Sequence, residues 1–368
     1  MSDDVVTPAH GAGTGRTREL IDRLVADLES SAYDQSVLGL AARDDGAVLP
    51  GGDGEVVVTT DSHVVDPPTF PGGDLGTLAV AGTVNDLAVM GATDPLGLTV
   101  GLVVEAGTEI ATLEGIVDSM RAACERASCP VVAGDTKVMG SGEVDGVVVN
   151  TTGVGRVSPG AYVPGTPRPG DAVVVSGTVG DHGIALLSER EGFDFETPLE
   201  SDVAPVNDLA AAALSAGDVT AMTDPTRGGF ATALHELLDG VVMVIDEGAV
   251  PVDGTVASAG ELLGIDPMTV ACEGRFVATV APEDAEAVVA ALREFDRGAD
   301  AAVVGRRWTR PRRSRRPRHR TRQALPPGTE RSNAPADLLR CTNSPSRRGC
   351  SNGRSRWPRT TTPTASTA

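Results

Sequence analysis

The sequence predicts an α/β chain of two domains. Three observations predict it. Strand-like and helix-like patterns alternate from about residue 54 to 305. Acids and other polar residues cluster where predicted strands end. A Pro/Gly-rich stretch, Pro159–Gly170, divides the pattern in two, and 368 residues suffice for two domains of ordinary size.

The elements follow in order. Ala9–Gly15 (AHGAGTG) is a glycine-rich stretch before an amphipathic helix over residues 17–28, with His10 a loop residue. Asp44-Asp45-Gly46 reads as a turn into the first strand. Val56–Asp61 is a strand that ends in an acid. A turn over Pro67–Gly73 leads to a helix over Thr77–Met90, with Leu78, Ala81, Val84 and Ala88 on one apolar face. Leu96–Glu105 is a strand and Ala111–Ala127 a helix, on or beside which Cys124 and Cys129 pack rather than bind metal. Cys129–Ala133 reads as a buried strand delivering Gly134-Asp135-Thr136-Lys137 at its end, and Val144–Val154 is another strand. Beyond the connection come a strand at Asp171–Ser176, a helix opened by Gly180-Asp181-His182-Gly183, and a helix over 203–216. Met222–Gly229 (MTDPTRGG) opens a further helix to Leu238. Strands at 241–246, 268–271 and 275–280, a helix at 285–295 and a strand from Ala301 complete the pattern.

Composition narrows the function. Residues 306–368 contain 17 of the 30 Arg and two acids, Glu330 and Asp337; what remains before them is 14 basic against 49 acidic residues, a net of −35. Such a surplus suits a salt-adapted protein and opposes nucleic-acid binding by the folded part. No apolar run is long enough to cross a membrane, and five scattered cysteines form no paired CxxC motif. The cytoplasm is the expected compartment. Lys137 is the single lysine of the chain. A compact ammonium kept where Arg serves every other need points to phosphate binding or to a tunable proton. Asp61, Asp74, Asn85 and Asp86 are hard oxygen donors at element ends or within a small-residue helix. That pattern suits Mg²⁺ shared with phosphate oxygens. After Gly305 the Arg/Pro/Ser/Thr mixture has no apolar period and cannot bury a core. It reads as a shifted reading frame in a GC-rich gene rather than a designed basic tail.

The segments TTDSHVVDPPTFPGGDLG, TVNDLAVMGA, GDTK, DPTRGG and ELLGIDPMTVACEGR resemble the HypE family of hydrogenase-maturation proteins. That family belongs to the PurM-like superfamily of AIR synthetase, selenophosphate synthetase and thiamine-monophosphate kinase. The resemblance covers residues 10–305 and implies N- and C-terminal AIR-synthase-like domains, here 1–158 and 159–305, followed by the tail 306–368. It implies ATP and Mg²⁺ as cofactors and a homodimer whose N-terminal strands form a shared barrel. A HypF-type carbamoyltransferase and the HypC–HypD iron scaffold are the implied partners. The implied reaction is ATP-dependent dehydration of a carbamoylated C-terminal cysteine to a thiocyanate.

The resemblance also implies roles for residues. Asp45, Asp61, Asp86 and Asp135 would hold Mg²⁺. Gly11 and Gly13, in a loop able to cradle anions, would bind the nucleotide with Asp44, Asp61, Asp74, Asn85, Asp86 and Asp135. Lys137 would stabilise the transferred phosphate, and Glu273 would deprotonate the substrate nitrogen unless it is only a strand-turn acid. Asp224 and Arg227 match an element near the site, where Arg227 could equally form a structural ion pair. The family ends in Pro-Arg-Ile-Cys and this chain ends in Thr-Ala, so the expectation is a reaction impaired by loss of the terminal cysteine. Two other functions compete. One is a PurM-like kinase or ligase for a free small molecule such as thiamine monophosphate. The other is a non-catalytic interaction protein with a basic tail.

Overall fold

The structure, a computed structural model, describes residues 36–308 apart from 43, 164, 194–198 and 238–241, with 5–7, 17, 19, 20, 23 and 24 before them. Gly11, Gly13, His10 and everything after 308 lie outside the described residues.

The N-terminal half begins with β1 (Ala47–Pro50) and β2 (Glu55–His63). A short hairpin, β3 (Thr69–Phe70) and β4 (Gly73–Asp74), then feeds α1 (Leu75–Val89). Next come β5 (Pro95–Glu105), α2 (Ile110–Ala127), β6 (Val131–Met139) and β7 (Val147–Val157). The five long strands form one sheet in the order β1-β2-β7-β5-β6. Only β5 and β6 pair in parallel, because α2 carries the chain back to the same end of the sheet.

Helix α1 departs from the one-sided apolar face expected of it. Every residue of α1 but Asp86 is buried. A helix apolar or small all round must be sandwiched. One side packs on the sheet and α2, with Ala79, Val80 and Val84 in the same core as Val100, Val149, Ile116 and Met120. Its end packs into the second half, where Ala88 and Val89 share a core with Val206, Leu209 and Ala210.

The C-terminal half comprises β8 (Ala172–Val175), α3 (Asp181–Glu191), α4 (Asn207–Ala216), β9 (Val219–Thr223), α5 (Gly229–Glu236) and β10 (Val242–Ile245). It continues with α6 (Gly254–Leu263), β11 (Val277–Val280), α7 (Ala285–Leu292) and β12 (Ala302–Trp308). The sheet order is β10-β12-β8-β11-β9, antiparallel throughout. Alternate strand residues serve the two faces. Val174, Met222 and Ala278 pack with α4 and α7, and Val173, Val175, Ala221 and Val277 pack with Phe230 and Ala233 of α5. Full burial of Phe230 and Phe276 contributes roughly 2–3 kcal/mol each.

Three expectations change. Residues 268–271 form no strand, because Pro267–Thr269 is a 3₁₀ turn capped by Asp266. Strand β12 continues to Trp308, pairing Arg306 with Ala172 and Val244, so ordered sheet extends three residues past the composition break at Gly305. The buried strand expected over 129–133 is instead β6, an edge strand exposed along its length. The apolar run Val131-Val132-Ala133 reads as interior, yet Val132 is 65% exposed.

Candidate active site

Three carboxylates from three elements meet where the halves join. Asp45 lies just before β1, Asp86 near the end of α1, and Asp224 just after β9. One oxygen of each lies within 4.8 Å of the others. Asp86 is the one position of α1 that is not fully buried, and its half-buried carboxylate is turned over to this site. Thr59 of β2 places its hydroxyl 2.8 Å from Asp86 Oδ2 and 2.9 Å from the Asp45 carbonyl oxygen. Asp45 Oδ2 is cut off from solvent with no hydrogen-bond partner.

The electrostatics are those of crowded acids in a desolvated place. Burial pushes the carboxyls of Asp45 and Asp86 well above the ordinary range, and the charge on Asp224 adds to both. The Thr223 hydroxyl partly offsets the effect on Asp45. Burial, then the charges of Asp61 and Glu236, push Asp224 up to about 7. Burial also raises Glu273 well above the glutamate range, followed by the charges of Asp224, Asp202 and Asp61. Glu273 therefore lies within electrostatic reach of Asp224 in the cluster and of Asp61 beside it. Arg227 is exposed at the start of α5, and its charge counters both Asp224 and Glu273.

A divalent cation fits this donor set. Three hard carboxylates converge, one buried oxygen lacks any partner, and the desolvation that raises these groups is what a cation would relieve.

The other residues expected at the site stand outside the three-acid cluster. Asp61 lies on its rim, partly exposed, with Oδ1 accepting from Ser62 N at 2.9 Å. Its Oδ2 is 3.5 Å from Nε2 of the buried His63, a contact without hydrogen-bond alignment, since Nε2 has no partner. Asp74 caps α1, accepting from Thr77 N at 2.7 Å. Asp44 accepts from Asp45 N and Gly165 N and so tethers the connection between the halves. Asn85 directs its carboxamide at the backbone of Ala204, Val206 and Glu273.

Asp135 and Lys137 lie on β6 and do not join the cluster within the chain. Register pairs Asp61 with Thr151, Thr151 with Val100 and Val100 with Gly134. Asp135 sits in the next row, with Gly101, Asn150 and Ser62. Adjacent rows point to opposite faces, and three strand spacings amount to about 14 Å. Of the four acids expected to hold metal, Asp45 and Asp86 thus converge with Asp224, while Asp61 lies beside them and Asp135 lies apart within the chain.

Asp202, Thr59, Thr223 and His63 were not expected here. Thr59 opens the segment TTDSHVVDPPTFPGGDLG and Thr223 stands within MTDPTRGG, which could have flagged them. Asp202 lies in no motif; its Oδ1 and Oδ2 each accept at 3.1 Å, from Glu273 N and Gly274 N.

Comparison with known proteins decides the family. Residues 43–157 match the model for the AIR synthase related protein, N-terminal domain, and residues 168–312 that for the C-terminal domain. Over 300 residues the chain is 45% identical to the carbamoyl dehydratase HypE of Cupriavidus necator, covering 80% of this chain and 84% of that one. The chain belongs to the AIR synthase-related family, on its HypE branch. The HypE of Rhizobium leguminosarum bv. viciae is 44% identical over 302 residues, covering 81% of this chain and 84% of its own.

Solved HypE structures agree with that placement. A HypE–HypF complex aligns with TM-score 0.73 at 41% identity, covering 79% of this chain and 93% of that one. A HypE bound to ATP aligns with TM-score 0.68 at 38% identity, covering 83% and 90%. Thiamine monophosphate kinase from Aquifex aeolicus shares the fold, with TM-score 0.57 at 18% identity over 80% of this chain and 95% of that one. None of the helices among the described residues is long and apolar enough to cross a membrane.

Proposed function

We infer that this chain is an ATP-dependent carbamoyl dehydratase of hydrogenase maturation, converting an S-carbamoyl cysteine to a thiocyanate. The observation that carries this reading is the convergence of Asp45, Asp86 and Asp224 with Glu273 beside them. One cluster suits the metal–triphosphate end of the reaction, and its neighbour suits the proton-removing end.

The chemistry runs in two steps. The carbamoyl oxygen attacks the γ-phosphorus of ATP, ADP leaves, and one N–H proton is released. The Glu273 carboxylate then takes the remaining N–H proton, the C–O bond breaks, and phosphate departs with its electron pair, leaving S–C≡N. Asp45, Asp86 and Asp224 would hold magnesium, which when bound neutralises the charge of the transferring phosphate. Crowding among these acids makes Glu273 a stronger base once ionised. Arg227, whose charge reaches both Glu273 and Asp224, favours their ionised forms.

Lys137 and Asp135 enter through a second copy of the chain. Strand β6 closes one edge of its sheet, with Val131, Val132 and Val138 exposed. Beside it runs an apolar groove of about 910 Å³ between α2 and β5–β6, lined in part by Asp135. An exposed apolar sheet edge is a template for pairing, so a homodimer joined there is the arrangement this edge supports. A HypF-type carbamoyl donor follows from the complex formed by the similar HypE, and the HypC–HypD scaffold is the acceptor by family resemblance. A cytoplasmic setting suits the free thiols of Cys124, Cys129 and Cys272.

The test uses the full chain, Mg²⁺, ATP and a peptide ending in S-carbamoyl cysteine. The expected result is a nitrile absorption in the infrared and loss of one water from the peptide mass, both requiring ATP. ATP consumption with no nitrile, or phosphorylation of thiamine monophosphate, would reject the reading.

A further inference from the structure

We propose that Asn85 and Asp202 are positioning residues that clasp the Glu273 turn from opposite sides and fix its carboxylate against the metal–phosphate cluster. The proposal rests on the function inferred above. From the C-terminal half, Asp202 takes both backbone N–H groups of the turn, its Oδ1 accepting from Glu273 and its Oδ2 from Gly274, each at 3.1 Å. From the N-terminal half, Asn85 Nδ2 donates to the Glu273 carbonyl at 3.1 Å and to the Ala204 carbonyl at 3.2 Å. Its Oδ1 accepts from Val206 N at 2.8 Å. Ala204 N lies 3.4 Å from the same Glu273 carbonyl. The Asp202 side chain is 1% exposed and stands 3.8 Å from the Arg275 guanidinium, which itself holds the Gly274 and Thr178 carbonyls.

The turn leaves no slack. A Cβ on Gly274 would sit 1.8 Å from the Asp202 carbonyl oxygen, so chain and clasp are in closest contact where the grip is applied. Asn85 is buried on α1 and immediately precedes Asp86. One residue step on a rigid helix therefore sets the spacing between a carboxylate of the cluster and the residue that removes the proton. The amide of Asn85, which sequence pattern places among the metal donors, works instead as a ruler between two halves of the site.

Misplacing a reacting group by about 1 Å can cost on the order of a hundredfold in rate. The experiment compares the full-length wild type with Asn85→Ala, Asp202→Asn and Glu273→Asp. It reads Mg·ATP affinity by calorimetry, and kcat, KM and the solvent deuterium isotope effect for nitrile formation from the S-carbamoyl peptide. The expected result is ATP affinity within about twofold of wild type, kcat lower by about tenfold to a hundredfold, and an isotope effect that rises in both clasp variants as it does in Glu273→Asp. A merely structural lesion would not raise the isotope effect selectively. If Asn85→Ala does not fold, Asp202→Asn, which keeps the side-chain shape, carries the test. Unchanged kcat, or ATP affinity and kcat falling together with an unaltered isotope effect, overturns the clasp. A wild type that binds ATP but forms no nitrile overturns the underlying function instead.

Discussion

Replacing Asp224 by Asn should make the metal-free protein more stable at pH 8 while removing its response to Mg²⁺. The Asp224 carboxyl is pushed from 3.8 to about 7 in the folded chain. The sign follows from proton counting. Between those values the folded protein keeps a proton that the unfolded chain has lost, so stability falls as pH rises through that window. A shift of about 3 units at about 1.4 kcal/mol each gives a penalty on the order of 4 kcal/mol at pH 8. At about pH 5.5 the same linkage leaves roughly 2 kcal/mol. Asn has nearly the shape of Asp without the charge and removes the penalty. Urea unfolding with and without Mg²⁺ at the two pH values measures this. The wild type should gain more from Mg²⁺ at pH 8 than at pH 5.5, because the cation binds the ionised cluster. A metal-free Asn variant less stable than wild type at pH 8, or one with an undiminished Mg²⁺ response, would refute the assignment of strain and metal to Asp45, Asp86 and Asp224.

Further outcomes follow from the same geometry. Glu273→Gln should abolish nitrile formation at every pH while Mg·ATP still binds. In the wild type the acidic limb of the pH–rate profile should lie above the ordinary glutamate range, activity rising with pH as Glu273 ionises. Gly274→Ala should cost about 3 kcal/mol or more in urea unfolding, since its Cβ would meet backbone at 1.8 Å with no flexible side chain to yield. Val132→Lys, which puts a charge on the exposed β6 edge, should shift a dimer to monomer in sedimentation and leave each fold intact.

Much of the architecture is legible from residue patterns because period and punctuation agree along most of the chain. The strand that carries Asp61, the α2 helix and the Pro/Gly connection are such places, although β2 runs two residues beyond Asp61 to His63. Strand β6 reads as interior because an apolar run has the same pattern whether it lies inside a sheet or along its exposed edge. The 268–271 stretch reads as a strand because its apolar flank conceals the turn that Asp266 and Pro267 cap. At the site, Asp45, Asp86, Asp224 and Glu273 all stand in short motifs, and the fold brings them together. Asp44, Asp74 and Asn85 also look like ligands, and in the folded chain each bonds backbone groups that no local pattern announces. Asp202 carries no local pattern because its partners lie 71 and 72 residues away in the chain. Asp135 and Lys137 share motif quality with the cluster but lie in another register row, which sequence spacing does not encode.

The central claim is that ATP removes the carbamoyl oxygen as phosphate. It is tested most directly with a peptide whose S-carbamoyl oxygen carries a heavy isotope, incubated with the full chain, Mg²⁺ and unlabelled ATP. The account predicts heavy oxygen in the released inorganic phosphate, in equal amount with the nitrile formed. Unlabelled phosphate accompanying nitrile, or ATP hydrolysis with the label retained in the peptide, would contradict it.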